Sequence, residues 1–282
     1  MLADVMAYLR CPHCAGELTL VQRSVRCTNG HTFDVARHGY VSLLRGDARG
    51  DAGDSAAMVR AREEFLAAGH YAPVAELVIA MAGAAGCVVD VGAGTGYYLA
   101  HTVARLPGCV GLALDVSKYA CRRAAKAHPR LGAVACDVWR QLPVATDAAD
   151  VVLDVFAPRN GAEFHRVLRP DGRLVVVTPT QRHLGELVSA LGLLTVAADK
   201  EQRVADKLDE HFELAAAESF DATVALDRDL VAAAVAMGPS AWHTDRAELA
   251  DKIARLADRT PVTFSVTCAR YLPRPGNGSA SR

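Results

Sequence analysis

Three cysteines and one histidine lie near the start of the chain in the pattern C-x2-C-x12-C-x3-H, at Cys11, Cys14, Cys27 and His31. The first turn, Cys-Pro-His-Cys, brings two sulfur atoms to one side, and a second turn, relieved by Gly30, supplies the other pair. Three thiolates and one imidazole form the closed tetrahedral shell that is typical of structural zinc. Because a closed shell leaves no position for an activated water, we predict an architectural Zn²⁺ whose binding stabilises a small ribbon.

A glycine-rich turn follows in the stretch CVVDVGAGTGYY, residues 87–98, which reads as strand, turn and helix. Gly92, Gly94 and Gly96 let the backbone pass close to a ligand. Their spacing is G-x-G-x-G, whereas the dinucleotide pattern needs a glycine where this chain has Tyr97. No G-K-[ST] follows, so a phosphate-binding P-loop is also absent. The remaining common ligand for such a turn is S-adenosyl-L-methionine.

Three acidic residues end successive predicted strands around this turn. Asp90 can fix the turn or meet the ammonium group of the ligand, Asp115 can accept the ribose hydroxyls, and Asp137 can meet the adenine amine. Ligands bind at the carboxyl ends of parallel strands, which favours these roles. An alternative stays open for Asp115 and Asp137, since either one could instead cap a helix.

The elements that must position these residues are strands alternating with helices between residues 72 and 180. This alternation predicts right-handed crossovers onto a parallel sheet that is covered on both faces. After residue 180 the pattern is mainly helical, and a closing strand, TPVTFSVTCARYL, has the alternation of an antiparallel edge. We divide the chain into a zinc-binding ribbon (1–36), a linker loop and helix (37–71), an α/β domain that contains the glycine turn (72–272) and a disordered tail (273–282).

Composition limits the classes of function. The 282 residues are 51% hydrophobic and 22% charged, with a net charge of −1. This balance argues against a broad, non-specific nucleic-acid binder. The sequence has no apolar run near the roughly 18 residues that cross a bilayer, and no pattern typical of a signal peptide. We therefore expect no membrane association and a cytoplasmic location, in which the eight cysteines stay reduced.

These motifs make the sequence recognisable. The glycine turn and VLRPDGRLVVV, residues 167–177, resemble class I S-adenosylmethionine-dependent methyltransferases, whose α/β fold is Rossmann-like with a mostly parallel sheet. The ribbon, GDSAAMVRAREEFLAAGHYAPV at 53–74, FAP at 156–158 and TPTQRHLGEL at 178–187 resemble a narrower family. This family comprises the guanine-N1 methyltransferases of 23S rRNA, among them tylosin- and mycinamicin-type macrolide resistance enzymes. The resemblance extends from about residue 6 to residue 272.

The resemblance implies a function and further site residues. It implies zinc on the four residues already named, and cofactor contacts at Tyr71, Gly94, Thr95, Gly96 and His183. It implies methylation of a guanine in hairpin 35 of 23S rRNA by a homodimer, whose two ribbons could embrace one RNA element. The amino-acid composition of this chain, rich in Ala, Arg and Val and poor in Lys, is typical of high-GC genomes. Because macrolide producers are common among organisms with such genomes, the composition favours a role in macrolide resistance.

The reaction itself leaves the catalytic residue unassigned. Guanine N1 carries a proton that must leave before or during attack, and a carboxylate or neutral imidazole would accept it. Asp154 and His183 are candidates, although relatives can be basic at the position of Asp154, and many carry an acid at that of Thr95. Phe156 and Trp242 could stack on an extruded base, or could equally be core residues.

Two other functions remain in view. A small-molecule methyltransferase would use the same cofactor turn, but it gives no reason for a zinc ribbon. A non-catalytic zinc-ribbon nucleic-acid-binding protein gives no reason for the combination of the glycine turn with acids at successive strand ends.

Overall fold

The architecture rests on two β-sheets. The computed structural model describes residues 1–46, 53–193, 208–238 and 246–275. The strands in these ranges are β1 (Leu18–Val21), β2 (Ser24–Cys27), β3 (Thr32–Asp34), β4 (Tyr40–Ser42), β5 (Cys87–Val91), β6 (Val110–Asp115), β7 (Leu131–Ala135), β8 (Ala149–Val155), β9 (Leu168–Pro179), β10 (Phe212–Leu226) and β11 (Thr260–Pro273). The helices are a 3-10 helix (Leu2–Tyr8), α1 (Ala56–Ala67), α2 (Ala72–Ala82), α3 (Tyr97–Arg105), α4 (Lys118–Ala127), α5 (Gly161–Val167), α6 (Gly185–Leu191), α7 (Arg228–Ala236) and α8 (Arg246–Ala254).

The larger sheet has the order β10-β11-β9-β8-β5-β6-β7-β4. Strands β4 to β9 pair in parallel, while β11 and β10 are antiparallel. Every residue of β5 and β7 is buried, as expected for a sheet that is covered on both faces. The predicted mostly parallel α/β fold of class I methyltransferases is confirmed. The carboxyl ends of β5, β6, β7 and β8 meet at one edge, which we call the carboxyl edge.

The antiparallel end of the sheet differs from the sequence prediction. Strand β11 pairs with both β9 and β10, so it is antiparallel as predicted, but its predicted position at the edge is wrong. The edge strand is β10, whose sequence FELAAAESFDATVAL lies in a region predicted to be mainly helical. Ala and Glu favour helices over strands, and most β10 side chains are exposed, so no apolar alternation marks this strand.

The smaller sheet, β1-β2-β3, is antiparallel and carries the ribbon. The preceding 3-10 helix packs on the larger sheet, where Val5 and Leu9 are fully buried. Leu9 also forms a β-bridge with Val144, and the backbone N–H of Arg10 donates to the carbonyl of Pro143 over 2.9 Å. The first residues of the predicted ribbon segment therefore belong to the packing of the larger unit.

The predicted linker, 37–71, also contains part of the larger sheet. Strand β4 pairs in parallel with β7 at the edge opposite β10, and a strand of three residues is too short to give a periodic signal. Helix α1 begins after Ser55, whose side chain accepts the Met58 N–H as an N-cap. Part of the predicted tail and the Trp242 stacking candidate lie outside the described residues.

Across the described ranges, no single helix is long and apolar enough to cross a membrane. Only α1 and α2 taken together pass that test of length and composition, and a bend of 89° separates them.

Candidate functional site

The ribbon brings Cys11, Cys14, Cys27 and His31 together, with all four ligand atoms within 4.8 Å of one another. The His31 Nδ1 atom lies 3.6, 3.6 and 3.2 Å from the sulfur atoms of Cys11, Cys14 and Cys27, in that order, and the Cys14 and Cys27 sulfurs are 3.8 Å apart. With Zn–S near 2.3 Å and Zn–N near 2.0 Å, a tetrahedral shell needs edges of about 3.5–3.8 Å. The donor set and its spacing therefore fit structural zinc.

Hydrogen bonds to two of these sulfur atoms stabilise the thiolate form, which binds a cation. The N–H groups of Asn29 and His31 both donate to the Cys27 sulfur over 3.3 Å. The Gly16 backbone and the Asn29 side chain lower the pKa of the Cys14 thiol to about 6. Because the thiolate is the metal-binding form, this arrangement favours the metal-bound state at neutral pH.

The glycine turn lies at the carboxyl edge, directly after β5. Gly92 has φ +71°, and a Cβ there would lie 2.6 Å from the Cβ of Ala157 in the loop after β8. Gly96 has φ +77°, and a Cβ would meet the Cα of Ala124 on α4 at 3.0 Å. Positive φ and close approach together explain why glycine occupies both positions.

Substituting Gly92 should therefore destabilise the fold. In Gly92→Ala the left-handed backbone costs about 1–2 kcal/mol and the overlap with Ala157 about 1–3 kcal/mol, so we expect the free energy of unfolding to fall by about 2–5 kcal/mol. Denaturant titration measures it. Gly108→Ala is the matched control, because Gly108 has φ +73° but nothing within 4 Å of its Cβ position, so only the backbone cost should be seen there. Equal losses in the two variants would contradict the overlap.

Asp115 organises the turn from the end of β6. One carboxylate oxygen accepts the Gly94 N–H and the other accepts the Ser117 N–H, each over 2.8 Å. The Asp115 side chain is half-buried at the carboxyl edge. Helix α4 is capped by the Ser117 hydroxyl, which accepts the Ala120 N–H, so the helix-cap alternative for Asp115 does not hold.

Asp137 lies past the end of β7 on the same edge and is half-buried. Its Oδ1 atom accepts the Trp139 N–H over 3.0 Å, and its Oδ2 atom lies 3.5 Å from the Arg140 guanidinium. Residues 138–140 form a turn and a bend rather than a helix, so Asp137 closes a turn and does not cap a helix.

Asp90 is 2% exposed in the middle of the same edge. Burial raises the pKa of this carboxyl group to about 8, and the nearby carboxylates of Asp115 and Asp154 contribute in the same direction. The neutral acid is thus favoured in the free protein. An approaching cation would favour the carboxylate, as expected for a residue that meets an ammonium group.

This buried acid predicts a pH-dependent stability in the absence of ligand. The unfolded chain releases the Asp90 proton near pH 4, whereas the folded protein keeps it to about pH 8. The folded state therefore binds more protons in this window, and its free energy of unfolding falls as pH rises, by roughly 1.4 kcal/mol per unit for this group. In Asp90→Asn, urea titrations between pH 5 and 8 should show a shallower fall. An unchanged slope would mean that Asp90 is ionised in the folded protein.

Tyr71 and His183 meet although they are 112 residues apart in the chain. The Tyr71 hydroxyl lies 3.0 Å from His183 Nε2, and His183 Nδ1 accepts the backbone N–H of Ser265 over 3.2 Å. Because Nδ1 acts as the acceptor, the neutral imidazole carries its proton on Nε2 and donates it to Tyr71. The Tyr71 hydroxyl can then donate to a ligand.

Aromatic rings connect this pair to the glycine turn. Phe156 lies 6.0 Å from the ring centroids of both Tyr71 and His183 and 6.4 Å from that of Tyr98 on α3. The Tyr98 hydroxyl is buried and has no hydrogen-bond partner among the described residues. Burial and the nearby Tyr71, Tyr97 and Asp90 raise its pKa. An orphaned donor beside Asp90 fits a cofactor that carries both a carboxylate and an ammonium group.

Two contributors were missed by sequence reasoning. Arg62 of α1 forms an ion pair with Asp54 and donates to the Met237 carbonyl over 2.8 Å, and its guanidinium lies over Gly94. The Tyr98 hydroxyl is the other. A helix-face arginine and the second of two tyrosines carry no spacing signal, so only the folded structure reveals them.

Asp154 and Phe156 occupy different environments at the end of β8. Asp154 is fully buried, neither of its oxygens has a hydrogen-bond partner among the described residues, and the Arg159 guanidinium lies 3.8 Å away. Burial raises the pKa of Asp154 to about 7, and Arg159 opposes the shift. Phe156 has φ +57° and is 40% exposed. The core-residue alternative therefore does not hold for Phe156, whose ring is presented at the carboxyl edge.

Comparisons with known sequences match both units of the chain. Residues 9–47 match the zinc-ribbon family model described as "RlmA, N-terminal", and residues 88–172 match a methyltransferase domain model. The chain is 51% identical over 281 residues, 98% of this chain and all of the relative, to the 23S rRNA (guanine(748)-N(1))-methyltransferase of Streptomyces fradiae. It is 50% identical, over 97% of this chain and all of the relative, to a putative 23S rRNA (guanine-N(1)-)-methyltransferase of Micromonospora griseorubida.

Solved structures support the fold alone. A chain from a complex between the Haloferax volcanii Trm112 methyltransferase activator and the putative methyltransferase superposes with a TM-score of 0.53 at 18% identity, covering 81% of this chain and all of that one. The fold is therefore shared with distant proteins, whereas the alignments with the two bacterial relatives cover nearly all of this chain, from the ribbon to β11. By that near full-length identity, the chain belongs to the family of 23S rRNA (guanine-N1)-methyltransferases.

Proposed function

We propose that this protein transfers the methyl group of S-adenosyl-L-methionine to N1 of a guanine in hairpin 35 of 23S rRNA. The observation that carries the proposal is the identity of about half of all residues to the two named relatives across their full length. The geometry supports it. The ribbon has a ligand set that fits zinc, and the β-bridge between Leu9 and Val144 joins the start of the ribbon to the unit that carries the carboxyl edge.

Each residue at the carboxyl edge would contact a different part of the cofactor. Gly92, Gly94, Thr95 and Gly96 would line it with backbone, Asp90 would face the ammonium, Asp115 the ribose hydroxyls and Asp137 the adenine amine. Tyr71, oriented by His183, would donate a hydrogen bond, as would the orphaned hydroxyl of Tyr98. When bound, the cofactor supplies an electrophilic methyl group on a good leaving group, so positioning and exclusion of water account for much of the acceleration.

Proton transfer from guanine N1 needs an acceptor with free lone pairs. Both ring nitrogens of His183 are engaged, one with Tyr71 and one with the Ser265 backbone, so we assign His183 to positioning. Asp154 has free lone pairs, but its side chain is fully buried and lies next to Arg159 beneath the loop that presents Phe156. We assign this pair to holding that loop and assign no residue as the acceptor of the N1 proton. Phe156 would stack on the target base at the mouth of the sheet.

Transfer of a tritiated methyl group tests the proposed class of reaction. The protein is incubated with labelled cofactor and total ribosomal RNA from a strain that lacks the modification. Label in 23S rRNA supports the proposal. Label found only in small molecules would support a small-molecule methyltransferase, and absence of any transfer would support a non-catalytic RNA-binding protein.

Three finer properties belong to the same proposal. We propose a homodimer in the cytoplasm whose methylation lowers susceptibility to tylosin-type macrolides. Light scattering of the purified protein tests the proposed dimer, and a molecular mass equal to that of the monomer at micromolar concentration would contradict it. Expression in a macrolide-sensitive host tests resistance, because an unchanged inhibitory concentration of tylosin would leave only a housekeeping role.

A further inference from the structure

An exposed tryptophan lies at the carboxyl edge, beside Asp137 and the other residues proposed to bind the cofactor. Trp139 follows Asp137 by two positions and is 61% exposed. The next two residues, Arg140 and Gln141, are exposed and polar. The exposed residues that follow Trp139 are thus polar, whereas a protein-docking surface presents a contiguous apolar patch.

The loop that carries Trp139 is held in place from both sides. The backbone N–H of Trp139 donates to Asp137 Oδ1 over 3.0 Å, and the side-chain amide of Asn160 donates to the backbone carbonyl of Val138 over 3.0 Å. Asn160 lies four residues after Phe156, in the loop that follows β8. The two exposed aromatic rings thus stand on loops that are hydrogen-bonded to each other.

The same loop continues to the ribbon. The Pro143 carbonyl accepts the Arg10 N–H over 2.9 Å, and Val144 forms the β-bridge with Leu9, two residues before the first metal ligand. We call residues 137–145 the bridging loop. It connects the ribbon, which would address the RNA, to the edge where the methyl group would be transferred.

We propose that Trp139 stacks on an unpaired base of the RNA next to the target guanine. An RNA that contacts both the ribbon and the carboxyl edge would pass along the bridging loop, whose backbone is held by Asp137, Asn160 and Arg10. Single-stranded bases stack on exposed aromatic rings of this kind. Phe156 would take the extruded base while Trp139 takes a neighbour. This inference rests on the proposed function, and it adds a residue that positions the substrate.

The experiment must distinguish stacking on RNA from a second role for Trp139, which is contact with the cofactor. Asp137 is assigned to the adenine of the cofactor, so the indole could instead form a wall of the adenine site. The two possibilities differ in which affinity changes when the ring is removed.

The test compares Trp139→Ala, Trp139→Phe and Leu214→Ala. Leu214 is the matched control, because it is 59% exposed on the distant edge strand β10. For each protein, the affinity for a synthetic hairpin 35 RNA, kcat and KM for its methylation, and the cofactor Kd are measured. Loss of one stacked base weakens binding by about five- to 150-fold. In Trp139→Ala we expect that increase in RNA Kd and KM, with kcat and the cofactor Kd near wild type.

Two further readouts sharpen the result. Trp139→Phe should recover most of the RNA affinity, and the salt dependence of binding should keep its slope, because no phosphate contact is lost. RNA affinity equal to wild type in Trp139→Ala, or a loss of the same size in Leu214→Ala, would overturn the inference. A raised cofactor Kd would overturn it in favour of the adenine wall. A wild-type protein that fails to methylate the RNA would overturn the proposed function, and this inference with it.

Discussion

Cys14→Ser should lose RNA methylation while keeping its affinity for S-adenosyl-L-methionine. The substitution removes one of four ligands from a shell whose donor atoms lie within 4.8 Å of one another. A ribbon of three short strands buries too little apolar surface to fold without its metal, so β1 to β3 should melt. Because losing a group that merely supports a metal ligand already costs 10–100-fold, we expect methylation to fall by about 100-fold or more.

The cofactor edge should survive because it does not depend on the metal. Val5 and Leu9, which join the start of the chain to the larger sheet, are fully buried there and precede the first ligand. Zinc content, RNA methylation rate and cofactor Kd are measured on each protein. Cys109→Ser is the matched control, since Cys109 is a buried thiol outside the metal cluster. Full RNA methylation by metal-free Cys14→Ser would show that the ribbon does not address the substrate.

Asp115→Ala should weaken cofactor binding by about 10- to 150-fold. This range corresponds to the loss of about 1.5–3 kcal/mol from hydrogen bonds that involve a charged group. The substitution also releases the N–H groups of Gly94 and Ser117, so part of the effect passes through the glycine turn. Calorimetric titration of the folded variant with S-adenosyl-L-methionine measures the change.

Ser117→Ala separates the ligand role of Asp115 from its structural role. It removes the cap of α4, which costs about 0.5–2 kcal/mol of stability, but leaves the Asp115 carboxylate in place. We expect a lower melting temperature with near wild-type cofactor affinity. If Asp115→Ala behaves in the same way, with reduced stability and an unchanged Kd, Asp115 is structural only.

Local chemistry made part of the site predictable. Metal ligands within one short ribbon are encoded by spacing, and acids at the ends of successive parallel strands must meet at one edge. Asp115 and Asp137 were left open between ligand contact and helix capping, because both roles suit an acid after a strand. The Ser117 hydroxyl, which caps α4, and the turn at residues 138–140 exclude the capping role.

Contacts between distant segments were not predictable from local pattern. Tyr71 and Ser265 meet His183 from opposite parts of the chain, and only the family resemblance indicated Tyr71 and His183. The position of β10 was missed because an exposed edge strand needs no apolar alternation. The bridging loop was missed for a related reason, since its role depends on hydrogen bonds to Arg10 and Asn160 rather than on its own sequence.

The position of the transferred methyl group tests the central claim most directly. 23S rRNA that lacks the modification is incubated with the protein and S-adenosyl-L-methionine, digested, and analysed by mass spectrometry, with primer extension to locate the block that N1 methylation places on base pairing. We expect one new N1-methylguanosine, located in hairpin 35. Methylation of another atom or another RNA region, or an unmodified hairpin 35 under conditions in which the cofactor binds, would contradict the account.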